Sequence, residues 1–244
     1  MTDVSTAMGG DGLVPAGELA SAALSLARRF AAGATMWCVA PQWPAHGRHV
    51  AVEFVHPVIV GKRALPAIHV EGPDLVATLR MLARPGDVLL AISSPQDPET
   101  TNLLRRSQAW GLHRLWLGVG PRPTTARAEH TIWSGEFEGE PALAARSGDL
   151  VLMYHLLWEL THVVFEHPGL LEPEPGGSEE VCITCSDQAE VAEVRVVHPD
   201  DSAEVVMGGI TESVDVSLVG PVDPGELVLV HAGVALTLLG DDPL

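Results

Sequence analysis

The chain has 244 residues, of which 46% are hydrophobic, so a well-buried core is expected in one large domain or in two smaller ones. Its 32 acidic and 14 basic side chains give a formal charge of −18, which argues against nucleic acid as a partner because nucleic-acid binding depends on clustered Lys and Arg. No apolar run reaches the roughly 20 residues that span a bilayer and no signal pattern is present, so we expect no membrane partner and a cytoplasmic protein.

Helices and strands alternate from residue 13 to residue 170. A helix begins near Ala16 and ends before Gly33, and three short apolar runs further along the chain are typical of buried strands. These strands are "ATMWCVA", "DVLLAIS" and "HRLWLGVG", and the later helices include "PDLVATLRMLARPG", "PETTNLLRRSQAWG" and "SGDLVLMYHLLWELTHVVFEH". This alternation predicts an α/β domain, with a parallel sheet that has helices on its faces.

A different pattern follows a linker at residues 171–180. The segment "PGLLEPEPGGSEE" is rich in Pro, Gly and Glu and cannot continue a helix. From Glu172 onward the chain carries 16 acidic residues and one basic residue, Arg195, so its last third is a separate acidic unit. Short strand-like stretches separated by turns predict a small OB-like β-barrel at residues 181–240. These stretches are "CITCSDQAEVAEVRVV", "AEVVM", "SVDVSLV" and "LVLVHAGVALTLL".

The acidic unit opens with Cys182 and Cys185, which are two of the three cysteines in the chain. Three interpretations are open: small hydrophobic residues on a strand, a pair of metal ligands, or a redox pair. A structural zinc site needs four ligands, and no second pair of closely spaced Cys or His follows. A thioredoxin-like redox pair lies at the start of a helix, whereas this pair lies in a strand-like sequence.

Three stretches of this unit resemble the HupF/HypC family of hydrogenase-maturation chaperones. They are the opening Cys182, "MGGITESVDVSLVG" and "VDPGELVLVHAGVALTLL". The resemblance implies that Cys182 corresponds to the family's essential cysteine and His231 to the histidine of its late strand. Cys185 is either a second ligand or fills a slot that is aliphatic in the family.

This resemblance also implies a function. The family carries an iron atom with cyanide and carbon monoxide ligands, and the expected partners are a HypD-like scaffold protein and the precursor of the hydrogenase large subunit. A cysteine thiolate is a soft ligand that suits low-spin iron, and a neighbouring imidazole either ligates the iron or holds the thiolate's proton.

The order of elements in the first domain, with "GDVLLAISS" at its centre and a long last helix, resembles a sugar isomerase (SIS) domain of the phosphoheptose isomerase type. Such domains hold a phosphosugar in two loops, and the resemblance implies a homodimer. The first loop is "VAPQWPAHG" here, in which two prolines remove amide donors. The second contains Ser93 and Ser94, which are candidate ligand-binding residues or ordinary hydroxyls at a strand end.

His49 and Glu53 are four residues apart in "GRHVAVEFVHP", so they share one face of a helix. They resemble the His-x-x-x-Glu pair that binds a divalent metal in phosphoheptose isomerases. The last helix offers His155, Glu159 and His162 on one face, and we expect His162 to complete the site. The alternative is that these histidines pack or cap helices and that the glutamates are solvated.

The sequence thus predicts a SIS-like domain fused to a HupF/HypC-like barrel, acting as an accessory protein in [NiFe] hydrogenase maturation. The alternative is a metal-dependent sugar-phosphate isomerase, or another SIS-type metalloenzyme, with the barrel as an appendage.

Overall fold

The computed structural model describes residues 16–124, 127–134, 143–172 and 189–240. Ten of its elements form a first domain of helices around a sheet. The helices are α1 (Ala16–Ala31), α2 (Pro44–Val55), α3 (Leu75–Leu82), α4 (Pro98–Ala109) and α5 (Leu143–Glu166). The strands are β1 (Met36–Val39), β2 (Ala67–His69), β3 (Val88–Ser93), β4 (His113–Val119) and β5 (His130–Ser134). No helix in the described ranges has both the length and the apolar character needed to cross a bilayer.

The five strands form a parallel sheet in the order β2-β1-β3-β4-β5. Successive side chains of a strand point to opposite faces, so each apolar strand contributes to two cores. On one face Cys38 and Leu90 pack with α1, α2 and α5, and on the other Trp37 and Leu89 pack with α3 and α4. The predicted α/β domain with flanking helices is confirmed.

Two of the helices begin at a capping aspartate. The Asp74 carboxylate accepts a hydrogen bond from the amide of Ala77 at 2.8 Å, and that of Asp97 accepts one from the amide of Thr100 at 3.2 Å. Pro98 then occupies the first turn of α4. The absence of its N–H costs nothing there, because N–H groups in the first turn have no partner within the helix. These caps define the last residues of the two loops that follow β2 and β3 at the carboxyl edge of the sheet.

Five further strands form a closed barrel in the order β10-β8-β7-β6-β9. They are β6 (Glu190–Val197), β7 (Ser202–Met207), β8 (Ile210–Asp215), β9 (Leu227–His231) and β10 (Val234–Leu239). Two-residue turns with positive φ at both positions close two hairpins, at Gly208-Gly209 and at Ala232-Gly233. The predicted small β-barrel is confirmed, and "LVLVHAGVALTLL" is a hairpin of two strands.

The barrel packs against the first domain through β6 and the Gly208-Gly209 turn. The Gly209 amide donates to the carbonyl of Ala109, at the end of α4, at 2.8 Å. A Cβ built on Gly111 would lie 2.6 Å from the carbonyl oxygen of Gly208, so the two backbones approach as closely as glycine permits.

Candidate functional site

A cluster of metal-ligating side chains lies where α2 meets α5. His49 Nε2 is 3.3 Å from Glu53 Oε1, and His155 Nε2 is 3.6 Å from the same oxygen. One ligand atom from each of the three residues lies within 4.8 Å of the other two. Two imidazoles and one carboxylate form the ligand set of several catalytic zinc sites, so the side chains fit a divalent ion.

The second ring nitrogen of each histidine supports this arrangement. His155 Nδ1 donates to the carbonyl of Val151 at 2.7 Å, which leaves the lone pair of Nε2 directed towards Glu53. His49 Nδ1 is 2.8 Å from the Tyr154 hydroxyl. Metal-ligating histidines usually make such a hydrogen bond through their other nitrogen, because it fixes the tautomer and the ring orientation.

Tyr154 connects the cluster to another histidine. Its ring packs edge-on against His46 and His49, and its hydroxyl lies 3.4 Å from His46 Nδ1. Burial, and then the negative charge of Glu53, raises the pKa of Tyr154 to about 12. The phenol therefore keeps its proton at neutral pH. Burial, and then the neighbouring His49, lowers the pKa of His46, which favours its neutral form.

The structure brings His155, not His162, to His49 and Glu53. His162 is buried, with Nδ1 2.9 Å from the carbonyl of Trp158 and Nε2 3.0 Å from that of Arg63. Both ring nitrogens thus face carbonyl oxygens. Seven residues correspond to about 10 Å along a helix, so His155 and His162 share a face of α5 at different levels. Glu159, on the same helix, lies near Lys62 at 3.9 Å.

The two loops that correspond to phosphate-binding loops contact each other. Ser93 is fully buried, and its hydroxyl accepts a hydrogen bond from Trp116 Nε1 at 3.0 Å, so it is not free to contact a ligand. The Ser94 amide donates to Gln42 Oε1, in the first loop, at 3.1 Å. A side-chain oxygen therefore occupies a backbone donor that a phosphate would need.

The barrel presents His231 at one of its ends. His231 is the last residue of β9, and β9 pairs with β6 so that Val230 lies opposite Glu190. The chain thus enters β6 at the end of the barrel where His231 lies. Cys182 and Cys185 lie outside the described residues.

The barrel is similar to a known protein family. Residues 189–242 match the HupF/HypC family. The match confirms the resemblance for the barrel and includes His231, but it begins after Cys182 and Cys185. No curated protein sequence matches the chain.

The first domain is similar in fold to solved structures. A phosphoheptose isomerase from Francisella tularensis has a TM-score of 0.50 and 16% identity, over 62% of this chain and 87% of that one. The phosphoheptose isomerase GmhA from Neisseria gonorrhoeae has a TM-score of 0.48 and 17% identity, over 59% of this chain and 85% of that one. The first comparison confirms that the HupF/HypC-like barrel is fused to a domain with the SIS fold. At this identity it shows the fold alone.

Proposed function

We propose that the protein is an accessory chaperone in [NiFe] hydrogenase maturation. The observation that carries the proposal is the family match at residues 189–242, which coincides with a closed barrel. In this function the protein assists delivery of an iron atom, bearing cyanide and carbon monoxide, to the immature large subunit. Its partners are the large-subunit precursor and a HypD-like scaffold protein.

Cys182 and His231 are the residues that we assign to the cargo. A thiolate is the soft ligand that such iron requires, and the His231 imidazole either ligates the iron or takes the thiol proton. Support comes from the register of β6 and β9, because the chain from the cysteine pair enters the barrel at the end where His231 lies. Cys185, three residues further on, is a candidate second ligand.

The SIS-like domain holds the barrel in this proposal and forms the homodimer. Two hydrogen bonds support this arrangement: Arg106 of α4 donates to Glu193 of β6, and the Gly209 amide donates to the carbonyl of Ala109. A barrel fixed on a larger body presents its ends in a constant orientation to its partners, which lowers the entropy lost when a partner binds.

Complementation in cells tests the function. In a strain that makes a [NiFe] hydrogenase and lacks this gene, the wild type should restore hydrogenase activity, and Cys182→Ala should not restore it at equal protein level. Cys38→Ala is the matched control, since Cys38 is buried in β1 and burial raises the pKa of its thiol. Its activity per molecule should equal that of the wild type. Full hydrogenase activity with Cys182→Ala, or in the strain without the gene, contradicts the proposal.

The second candidate function is a metal-dependent enzyme in the first domain, and the cluster of His49, Glu53 and His155 favours it. A divalent ion held by these three residues supplies Lewis-acid chemistry to a bound carbonyl or water. Tyr154 orients His49 through a 2.8 Å hydrogen bond and retains its own proton at neutral pH.

Phosphosugar turnover separates the two functions. Assays with sedoheptulose and fructose phosphates should detect no isomerisation, because Gln42 occupies the Ser94 amide and Ser93 is buried. Micromolar affinity together with turnover would reverse the order of the two candidates.

A further inference from the structure

A cleft of about 1010 Å³ lies between the first domain and the barrel. Its walls come from α1, from the beginnings of β4 and β5, and from Glu190 and Gly208 of the barrel. His113 and His130 are the first residues of β4 and β5, so the cleft is at the amino edge of the parallel sheet. The loops at Gln42 and Ser94, which correspond to phosphate-binding loops, lie at the opposite, carboxyl edge of the sheet. The cleft is therefore separate from those loops.

Positive charge is concentrated on the α1 wall of this cleft, in a chain whose net charge is −18. Within the part of the chain that the structure describes, Arg28 donates through Nε and Nη2 only to the carbonyl oxygens of Leu170 and Glu172, both at 3.1 Å. Neither acceptor carries a charge, so the guanidinium charge is not neutralised by them. Arg29 makes no ion pair with any carboxylate of the described residues.

The carboxylates that the described residues contribute to the cleft do not cancel this charge. Glu129 is held by Arg114, whose Nη2 donates to Oε1 at 2.6 Å and whose backbone amide donates to Oε2 at 2.7 Å. That pair is neutral as a unit. Glu190 lies on the barrel side and is exposed to solvent, which screens its charge.

Neutral hydrogen-bonding groups lie beside the two arginines. Ser25, one helical turn before Arg28 and Arg29, is 2.8 Å from His113 Nε2. The His130 ring packs edge-on against His113, with ring centroids 5.3 Å apart. Burial, together with nearby positive charges that include Arg29, lowers the pKa of His113 to about 4. A neutral imidazole that carries its proton on Nε2 donates to the Ser25 oxygen, which leaves the Ser25 hydroxyl proton for another acceptor.

We propose that this cleft binds a small phosphomonoester, with Arg28 and Arg29 holding the phosphate beside the Ser25 hydroxyl. Guanidinium groups and hydroxyls are the side chains that recognise phosphate oxygens by charge-assisted hydrogen bonds. The volume exceeds that of a phosphate ion and suits a phosphate carrying an organic group. Leu24 and Leu112 provide apolar wall for that group.

Calorimetry on the full chain tests the site with AMP, ribose 5-phosphate and inorganic phosphate, and with adenosine as the uncharged probe. At least one phosphomonoester should bind with submillimolar affinity and more tightly than inorganic phosphate, and adenosine should bind far more weakly. Arg29→Ala should weaken binding about tenfold or more, since it removes a charge-assisted interaction. Arg48→Ala, which removes an exposed arginine of α2, is the matched control and should leave affinity unchanged.

Ser25→Ala is a second variant that keeps both charges. It should weaken binding less than Arg29→Ala does, and unfolding curves of both variants should match the wild type to show that they fold. The proposal is overturned if neither phosphomonoester binds with submillimolar affinity. It is also overturned if inorganic phosphate binds as tightly as the esters, or if Arg29→Ala leaves their affinity unchanged. Sulfate at equal ionic strength distinguishes a specific site from general attraction of anions.

Discussion

The carboxylate of Glu193 in the barrel accepts a hydrogen bond from Trp110 Nε1 of the first domain at 2.6 Å. Glu193 is fully buried, and it also pairs with Arg80 and with Arg106, whose Nη1 is 3.1 Å from Oε1. Arg106 Nη1 donates in addition to the carbonyl of Gly225 at 2.6 Å. A buried carboxylate that receives three donors from another domain fixes the position of the barrel.

Glu193→Ala should therefore destabilise the whole protein. Removing one partner of a buried charged network leaves the others without compensation, at a cost of about 3 kcal/mol. Urea unfolding measures the change. Glu204→Ala, on the exposed face of β7, should change the free energy of unfolding by less than about 0.5 kcal/mol. An equal and small effect of both substitutions would show that Glu193 does not hold the domains together.

The contact between Gly111 and Gly208 can be tested with a matched pair of glycines. Gly111 has φ +74° and Gly120 has φ +98°, but only at Gly111 would a Cβ meet other atoms. Gly120→Ala should cost about 1 kcal/mol from backbone strain alone. Gly111→Ala should cost clearly more, because the new Cβ forces the barrel turn away. Similar losses of stability in urea unfolding of the two variants would contradict this account of the interface.

The sequence predicted the elements whose pattern is local. Continuous apolar runs indicated β1, β3 and β4, because these strands are buried on both faces. The three-residue strand β2 carries too little pattern to be recognised, and β5 begins with partly exposed polar residues. The break inside "LVLVHAGVALTLL" depends on positive φ at Ala232 and Gly233, and alanine gives no signal for such a turn.

Features that depend on packing between elements could not be predicted. Helical periodicity places His155 and His162 on one face, and only the height at which α2 crosses α5 selects His155. Glu193 lies in an alternating strand and resembles a solvated residue until the first domain covers it. The cleft with Arg28 and Arg29 is likewise formed by two domains. The sequence shows the two arginines but does not show that the barrel lies beside them.

Metal content should follow the cluster that the structure shows. Purified Cys182→Ala protein, which lacks the cysteine assigned to the cargo, should retain about one ion per chain after loading with Zn²⁺, and adding His49→Ala or His155→Ala should abolish that binding, since a site with two protein ligands binds weakly. His162→Ala is the control, because its ring nitrogens face carbonyl oxygens instead of Glu53. It should retain zinc and lose stability. Zinc that persists in His155→Ala but disappears in His162→Ala would restore the ligand set predicted from the sequence.

His113 should make stability depend on pH. Its pKa is about 4 in the folded protein, lowered by burial and then by Arg29, His130 and Arg114, while Glu129 opposes the shift. The unfolded chain has the ordinary value of about 6.5. Between these values the unfolded state binds a proton that the folded state does not bind. The free energy of unfolding therefore falls as pH decreases from about 6.5 to about 4, and it is unaffected by this group above that window.

Urea unfolding at pH 7.5, 6, 5 and 4.5 in EDTA, for the wild type and for His113→Gln, isolates this contribution. Glutamine keeps a polar partner for Ser25 and cannot take up a proton, so the wild type should lose about 1 kcal/mol more than the variant across the window, after allowance for solvent screening. Groups that do not contact His113 contribute equally to both curves and cancel in the difference, whereas His130, whose ring packs against His113, contributes to it. His198→Gln, on the barrel surface, should follow the wild-type curve. Parallel curves for the wild type and His113→Gln would mean that His113 takes up its proton without opposing the fold.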